Sequence, residues 1–137
     1  MQRRDFLTSS ALTAAAVSFA LPGMALGGES KAGNALLETA TDCTKKAELC
    51  LQHCVESLSS GSKAMAACAA SVREMAIYCE ALAKASARKS KHLKALAKIA
   101  LEACQDCEAE CRKHKQMQVC LDCADACAAC AKECAKA

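Results

Sequence analysis

The chain carries apolar residues at every third or fourth position over most of its length. This spacing is typical of an α-helix that buries one face, whereas a half-buried strand alternates apolar and polar residues. Three polar stretches interrupt the pattern, at 59–62, 86–90 and 113–118. We therefore predict four helices, with Ser62 and Ser90 as candidate N-caps of the second and third.

Each predicted helix contains about 20–27 residues and is about 30–40 Å long at 1.5 Å per residue. Connections as short as those between them join neighbouring helices in antiparallel order. We therefore predict an all-α fold, an antiparallel up-down-up-down four-helix bundle. The predicted helices span 32–58, 63–87, 91–113 and 117–136.

The composition argues against most other classes of protein. Among 137 residues there are one tyrosine, two phenylalanines and no tryptophan, with only five glycines and one proline. A β-sandwich or barrel needs more aromatic residues and more turns than this. The hydrophobic fraction of 53% is too high for a disordered chain, so one helical domain is expected.

Cysteine is the unusual residue, because it takes the buried positions that leucine or phenylalanine would normally fill. All of the cysteines fall on the predicted buried faces, which predicts a cysteine-lined core. Each exchange of leucine for cysteine forfeits roughly 1 kcal/mol of burial, so packing alone does not account for so many. We expect all 13 to be metal ligands: Cys43, Cys50, Cys54, Cys68, Cys79, Cys104, Cys107, Cys111, Cys120, Cys123, Cys127, Cys130 and Cys134.

Disulfides and common metal centres fit this layout less well. Cysteines four residues apart on a helix have Cβ atoms about 5–6 Å apart, against about 3.8 Å in a disulfide. Zinc sites use discrete sets of four ligands, and the usual iron–sulfur run ends in Cys-Pro, which this chain lacks. Disulfides between different helices are not excluded by this spacing. The alternative functions are an Fe–S electron carrier and a thiol-redox or disulfide-stabilised helical protein.

Copper(I) matches a core of thiols better. It is a soft ion that selects thiolate and thioether ligands, and two thiolates are enough to hold it. Each bound ion cancels one thiolate charge, and uncompensated buried charges would be prohibitive. We therefore predict that the chain stores or sequesters many Cu(I) ions and is not an enzyme, since no acid–base pair or activated nucleophile stands out.

The two ends of the predicted bundle differ. One end gathers four residues whose ligand atoms bind Cu(I) more weakly than thiolates do, and we expect copper to enter there. These candidate mouth ligands are His53, Met65, His114 and Met117. The opposite end gathers four leucines that should form an apolar plug, namely Leu36, Leu82, Leu93 and Leu96. Met75 faces the core between Cys68 and Cys79, where packing is the more common role for methionine.

Residues 1–25 have the organisation of an export signal. Arg3 and Arg4 precede an apolar stretch of about ten residues, which is too short to span a bilayer. Phe6 follows at the offset found in twin-arginine signals. We expect a protein exported to the periplasm or another extracytoplasmic compartment of a bacterium.

The remainder of the chain should be a short flexible N-terminus at 26–31 and the metal-binding bundle at 32–137. No second apolar run reaches membrane-spanning length, so we expect no membrane contact in the mature form. Basic residues cluster between Lys84 and Lys98. With one tyrosine and little net charge, they are expected to be a solvated surface and not a nucleic-acid site.

The repeated CxxxC pairs resemble those of the copper storage proteins, a bacterial family of cysteine-lined four-helix bundles. The pairs are Cys50/Cys54, Cys107/Cys111, Cys123/Cys127 and Cys130/Cys134. With the twin-arginine-like leader, the chain resembles the exported branch. The resemblance implies a homotetramer of bundles, many Cu(I) ions in each, His53 and Met65 at an open mouth, and supply of copper to copper enzymes.

Overall fold

The computed structural model describes residues 31–137, which form four α-helices and one short 3₁₀ turn. The helices are α1 (Lys31–Ser59), α2 (Ala66–Ala87), α3 (Leu93–Cys111) and α4 (Gln118–Cys134), and the turn is Lys63–Met65. The predicted all-α fold is confirmed. The expected export signal at 1–25 lies outside the described residues, as does the expected flexible stretch at 26–31 except for Lys31, where α1 begins.

The helices pack as a four-membered ring, in which each contacts its two neighbours. α1 packs against α2 and α4, and α3 packs against the same two helices. The connections at 60–65, 88–92 and 112–117 are far too short to travel back along a helix of about 25 Å or more. Consecutive helices therefore run antiparallel, as expected.

The first two helices end in the same hydrogen-bonded motif. Gly61 lies in the left-handed region at φ 91°, and the next residue, Ser62, donates to the Ser57 carbonyl at 3.1 Å. Lys89 takes this position after α2 at φ 51°, and Ser90 donates to the Ala85 carbonyl at 2.9 Å. Both are Schellman endings, which satisfy the last carbonyls of a helix and explain the two predicted breaks.

The predicted N-caps are only partly right. The Ser62 side chain caps nothing, because the 3₁₀ turn separates it from the start of α2. The Ser90 hydroxyl accepts a hydrogen bond from the backbone N–H of His92 at 3.2 Å, but α3 itself begins at Leu93. Within residues 31–137, no helix is long and apolar enough to cross a membrane.

Candidate metal centre

The bundle core is built from thiols and small apolar residues. All 13 cysteines are buried, with three on α1, two on α2, three on α3 and five on α4. Twelve of them are 0% exposed, and Cys134, near the end of α4, is 5% exposed. Small side chains such as Ala47 and Ala100 fill other core positions and let the helices approach closely. The prediction of a cysteine-lined core is therefore confirmed.

Thiols from different helices lie in direct contact. The Sγ atoms of Cys79 and Cys104 are 3.5 Å apart, and those of Cys43 and Cys127 are 3.7 Å apart. All the cysteines are free. A disulfide needs about 2.05 Å, whereas two sulfurs bound to one ion at about 2.3 Å each are separated by at most about 4.6 Å. The core thus has the spacing of a metal-bridged array.

The CxxxC pairs bring their sulfurs together along single helices. Sγ–Sγ separations are 3.9 Å for Cys107/Cys111 and for Cys130/Cys134. The other two pairs each share a three-thiol group with a cysteine of a neighbouring helix. The χ1 rotamers of an i,i+4 pair therefore place the two sulfurs closer together than the roughly 5–6 Å that separates the Cβ atoms, at a distance that one ion can bridge.

Five groups of three thiols have all their sulfurs within 4.8 Å of one another. They are Cys43/Cys104/Cys127, Cys50/Cys54/Cys68, Cys50/Cys111/Cys123, Cys79/Cys104/Cys130 and Cys107/Cys123/Cys127. The groups share members, and the remaining two cysteines contact them, since Cys120 lies 3.8 Å from Cys50 and Cys134 lies 3.9 Å from Cys130. All 13 sulfurs therefore form one connected network along the bundle.

The network has two halves that meet at Cys127. The first thiol group lies toward the 60–65 and 112–117 connections and consists of Cys50, Cys54, Cys68, Cys107, Cys111, Cys120 and Cys123. The second thiol group lies toward the 88–92 connection and consists of Cys43, Cys79, Cys104, Cys130 and Cys134. Cys127 belongs to one three-thiol group on each side, so it links the two halves.

The candidate mouth residues differ in exposure. Met65 is 3% exposed and packs in the core, whereas Met117, which precedes α4, is 39% exposed. His53 is half-buried, and its Nε2 is buried without a hydrogen-bond partner among the described residues. His114 is half-buried and close enough to Cys68 for its charge to help lower the pKa of that thiol. Of the four leucines of the predicted plug, Leu36 and Leu82 are buried in the core, and Leu93 and Leu96 are partly buried against it.

Burial and mutual repulsion control the charge of the metal-free core. Hydrogen bonds from Cys111 and Cys50 lower the pKa of Cys68, which makes it an early site of negative charge. Desolvation, together with repulsion from a Cys68 thiolate, raises the pKa of Cys54 to about 12 and that of Cys120 to about 11. Most thiols in such a cluster stay neutral until a cation arrives.

Metal-free protein is expected to stay helical at neutral pH and to lose stability at alkaline pH. The folded-state pKa values of Cys54 and Cys120 are raised above 9.0, so their neutral forms stabilise the fold below about pH 9. This contribution is lost as the pH rises through the pKa of Cys120, about 11, and that of Cys54, about 12. Thermal melts followed by circular dichroism, under anaerobic reducing conditions, would measure it. Loss of helix at pH 7 upon chelation would instead indicate metal-dependent folding.

Comparison with known proteins identifies related sequences. A family model described as copper storage protein matches residues 29–137. A protein of Bacillus subtilis strain 168, described as the uncharacterized cysteine-rich protein YhjQ, is 32% identical over 100 residues. That alignment covers 73% of this chain and 90% of the relative.

Two solved structures are similar to this fold. The Cu(I)-bound copper storage protein BsCsp3 matches with a TM-score of 0.69 at 28% identity, over 77% of this chain and 97% of its own. The apo form of copper storage protein 3 from Bacillus subtilis matches with a TM-score of 0.68 at 30% identity, over 76% and 96%.

The family match and the thiol geometry agree. The matched residues contain all 13 cysteines of the chain. This agreement favours copper storage over the Fe–S electron carrier and the thiol-redox protein, which the sequence pattern alone left open. The chain belongs to the copper storage protein family, and its function is the storage of Cu(I) rather than catalysis.

Proposed function

We propose that all 13 core thiolates hold Cu(I), with a capacity on the order of one ion per thiol. The connected sulfur network is the observation that carries this proposal, because shared sulfurs can bridge neighbouring ions. Cys50, Cys104, Cys123 and Cys127 each belong to two three-thiol groups. Zinc prefers closed sets of four ligands, whereas these groups hold three thiols each and Cu(I) is a soft ion that selects thiolates.

The charge balance of the loaded core also supports one Cu(I) ion per thiolate. Each incoming Cu(I) replaces one thiol proton, so a fully loaded core with equal numbers of ions and thiolates is close to neutral. A core filled with divalent ions at the same ratio would instead carry a large buried positive charge, which is strongly unfavourable. The BsCsp3 relative, described as Cu(I)-bound, is a precedent for this ion in a similar fold.

Copper enters, in this proposal, at the end of the bundle that carries His53 and His114. A buried imidazole nitrogen without a partner is costly, and binding an ion would compensate the Nε2 of His53. His114 lies beside the first thiol group through Cys68. Met117, partly exposed before α4, could bind the ion first, and Met65 lies further inside.

The store is proposed to lie outside the cytoplasm. Its support is the sequence: two arginines followed by Phe6 and a short apolar stretch, as in twin-arginine signals. Replacing Arg3 and Arg4 together by lysine should leave the protein in the cytoplasmic fraction, with the unchanged chain recovered from the periplasm as the control. Export that is unaffected by the exchange would instead indicate a general secretion signal.

Assembly and delivery are also part of the proposal. The helix surfaces expose several large apolar side chains, which favours association with further copies, and we propose a homotetramer on the family resemblance. These side chains are Leu49, Val55, Ile77 and Ile99. Copper-dependent enzymes of the same compartment are the proposed recipients of the stored ions.

An anaerobic titration tests the storage capacity. Reduced protein is titrated with Cu(I) in the presence of a coloured Cu(I) chelator, and the chelator should stay colourless until roughly ten or more ions have bound per chain. Binding that stops at three or fewer ions per chain would contradict the proposed network. A parallel titration with Zn(II) serves as the comparison and should saturate at about three closed sites.

A further inference from the structure

Met75 places a fourteenth sulfur inside the thiol network. It lies on α2, four residues before Cys79, and its side chain is fully buried. The thiol of Cys43, on α1, donates to the Met75 Sδ across 3.3 Å, the shortest of the sulfur–sulfur contacts among the described residues. The thioether therefore faces one of the proposed copper ligands and not only hydrocarbon.

The contact lies at the junction of the two thiol groups. Cys43 is 3.7 Å from Cys127, and both belong to a three-thiol group with Cys104. Met75 would therefore offer a further sulfur beside an ion bound by this group, through its contact with Cys43. The network is narrow here, because Cys127 is the residue that links its two halves.

Methionine in a core usually fills space, and that role would need only apolar contact. The neighbouring core positions of α2, Val72 and Leu82, do fill space with hydrocarbon alone. At position 75 it is the sulfur atom that meets the thiol. A leucine would occupy a similar volume but would offer no lone pair to the junction.

We propose that Met75 Sδ is a Cu(I) ligand at the junction, completing the site formed by Cys43, Cys104 and Cys127; this inference rests on the proposed function. On binding, Cu(I) replaces the proton of the Cys43 thiol, which passes to solvent, and no atom is oxidised or reduced. The thioether is neutral, so it adds a soft bond without adding negative charge to the buried site.

The distance between the Cys43 Sγ and the Met75 Sδ suits a metal site with more than two ligands. With metal–sulfur bonds of about 2.3 Å, a 3.3 Å separation corresponds to an S–metal–S angle of about 90°. Moving the two sulfurs apart by about 0.5 Å opens the angle to the tetrahedral value. The three rotatable bonds of methionine allow such a movement without a change in the backbone.

Selenium spectroscopy tests the proposal directly. Full-length protein with Met24, Met65 and Met117 changed to leucine is labelled with selenomethionine, which leaves selenium at Met1 and Met75. The matched control also carries Met75→Leu and keeps selenium at Met1 alone. Extended X-ray absorption fine structure at the selenium edge is recorded for both proteins, with and without Cu(I), and the copper content is measured on the same samples.

We expect a selenium–copper contribution in the loaded protein, absent from its metal-free form and from the control. Full copper loading with only carbon neighbours around selenium would overturn the role of Met75 and leave the storage proposal standing. Failure of the unmodified protein, titrated alongside, to take up more than three ions would instead refute the storage proposal itself. Circular dichroism of each variant confirms that the helices are intact.

Discussion

Replacing the five cysteines of α4 by alanine is expected to lower Cu(I) capacity from about 13 ions per chain to about eight, on the basis of one ion per thiol. α4 supplies more thiols than any other helix among the described residues. Its members occur in four of the five three-thiol groups. Equilibrium titration against a Cu(I) chelator measures the change. An unchanged capacity would contradict the network.

Folding of this variant has to be considered, because each lost sulfur leaves a small void. The destabilisation is about 1 kcal/mol per site, partly offset by the higher helix propensity of alanine. If the fivefold variant does not fold, Cys130→Ala with Cys134→Ala should still remove about two ions at one ion per thiol. Val72→Ala is the matched control, since it makes a cavity in the same core without removing a ligand.

The helices and their buried faces could be predicted because both depend on local sequence. A 3.6-residue period fixes which side of a helix is apolar, so each cysteine could be assigned to the core before its neighbours were known. The turns were equally local, since Gly61 and Lys89 end their helices through contacts within five residues. The Ser62 cap was wrong because a 3₁₀ turn extends the connection, and serine–glycine patterns do not distinguish the two cases.

The pairing of thiols across the bundle could not be predicted from spacing. Cys43 and Cys127 are 84 positions apart, and their contact depends on the rotation and axial register of α1 against α4. For the same reason the contact between Cys43 and Met75 could not be predicted, and Met75 was expected to fill space in the core. The exposure of Met117 follows from its place just before α4, a boundary that is uncertain by one or two residues in any sequence pattern.

Cys127→Ala should separate the two thiol groups and slow the filling of one of them. Copper that moves between sulfurs needs a neighbouring acceptor within bridging distance, and Cys127 provides it for both sides. Its loss should make the second thiol group load at least about tenfold more slowly, equivalent to about 1.4 kcal/mol of added barrier. Cys134→Ala is the control, because it also removes one thiol but lies at the end of the network.

The amplitudes of the two loading phases then tell where copper enters. Twelve thiols remain in Cys127→Ala, seven in the first thiol group and five in the second. If copper enters beside His53 and His114, the fast phase in stopped-flow absorbance should correspond to the seven thiols of the first group. The slow phase should then correspond to the five thiols of the second group. A fast phase from five thiols and a slow phase from seven would place the opening beside Cys134, the one cysteine with measurable exposure. A single phase at the unmodified rate would mean that ions reach each site independently, and the network would then serve capacity but not transport.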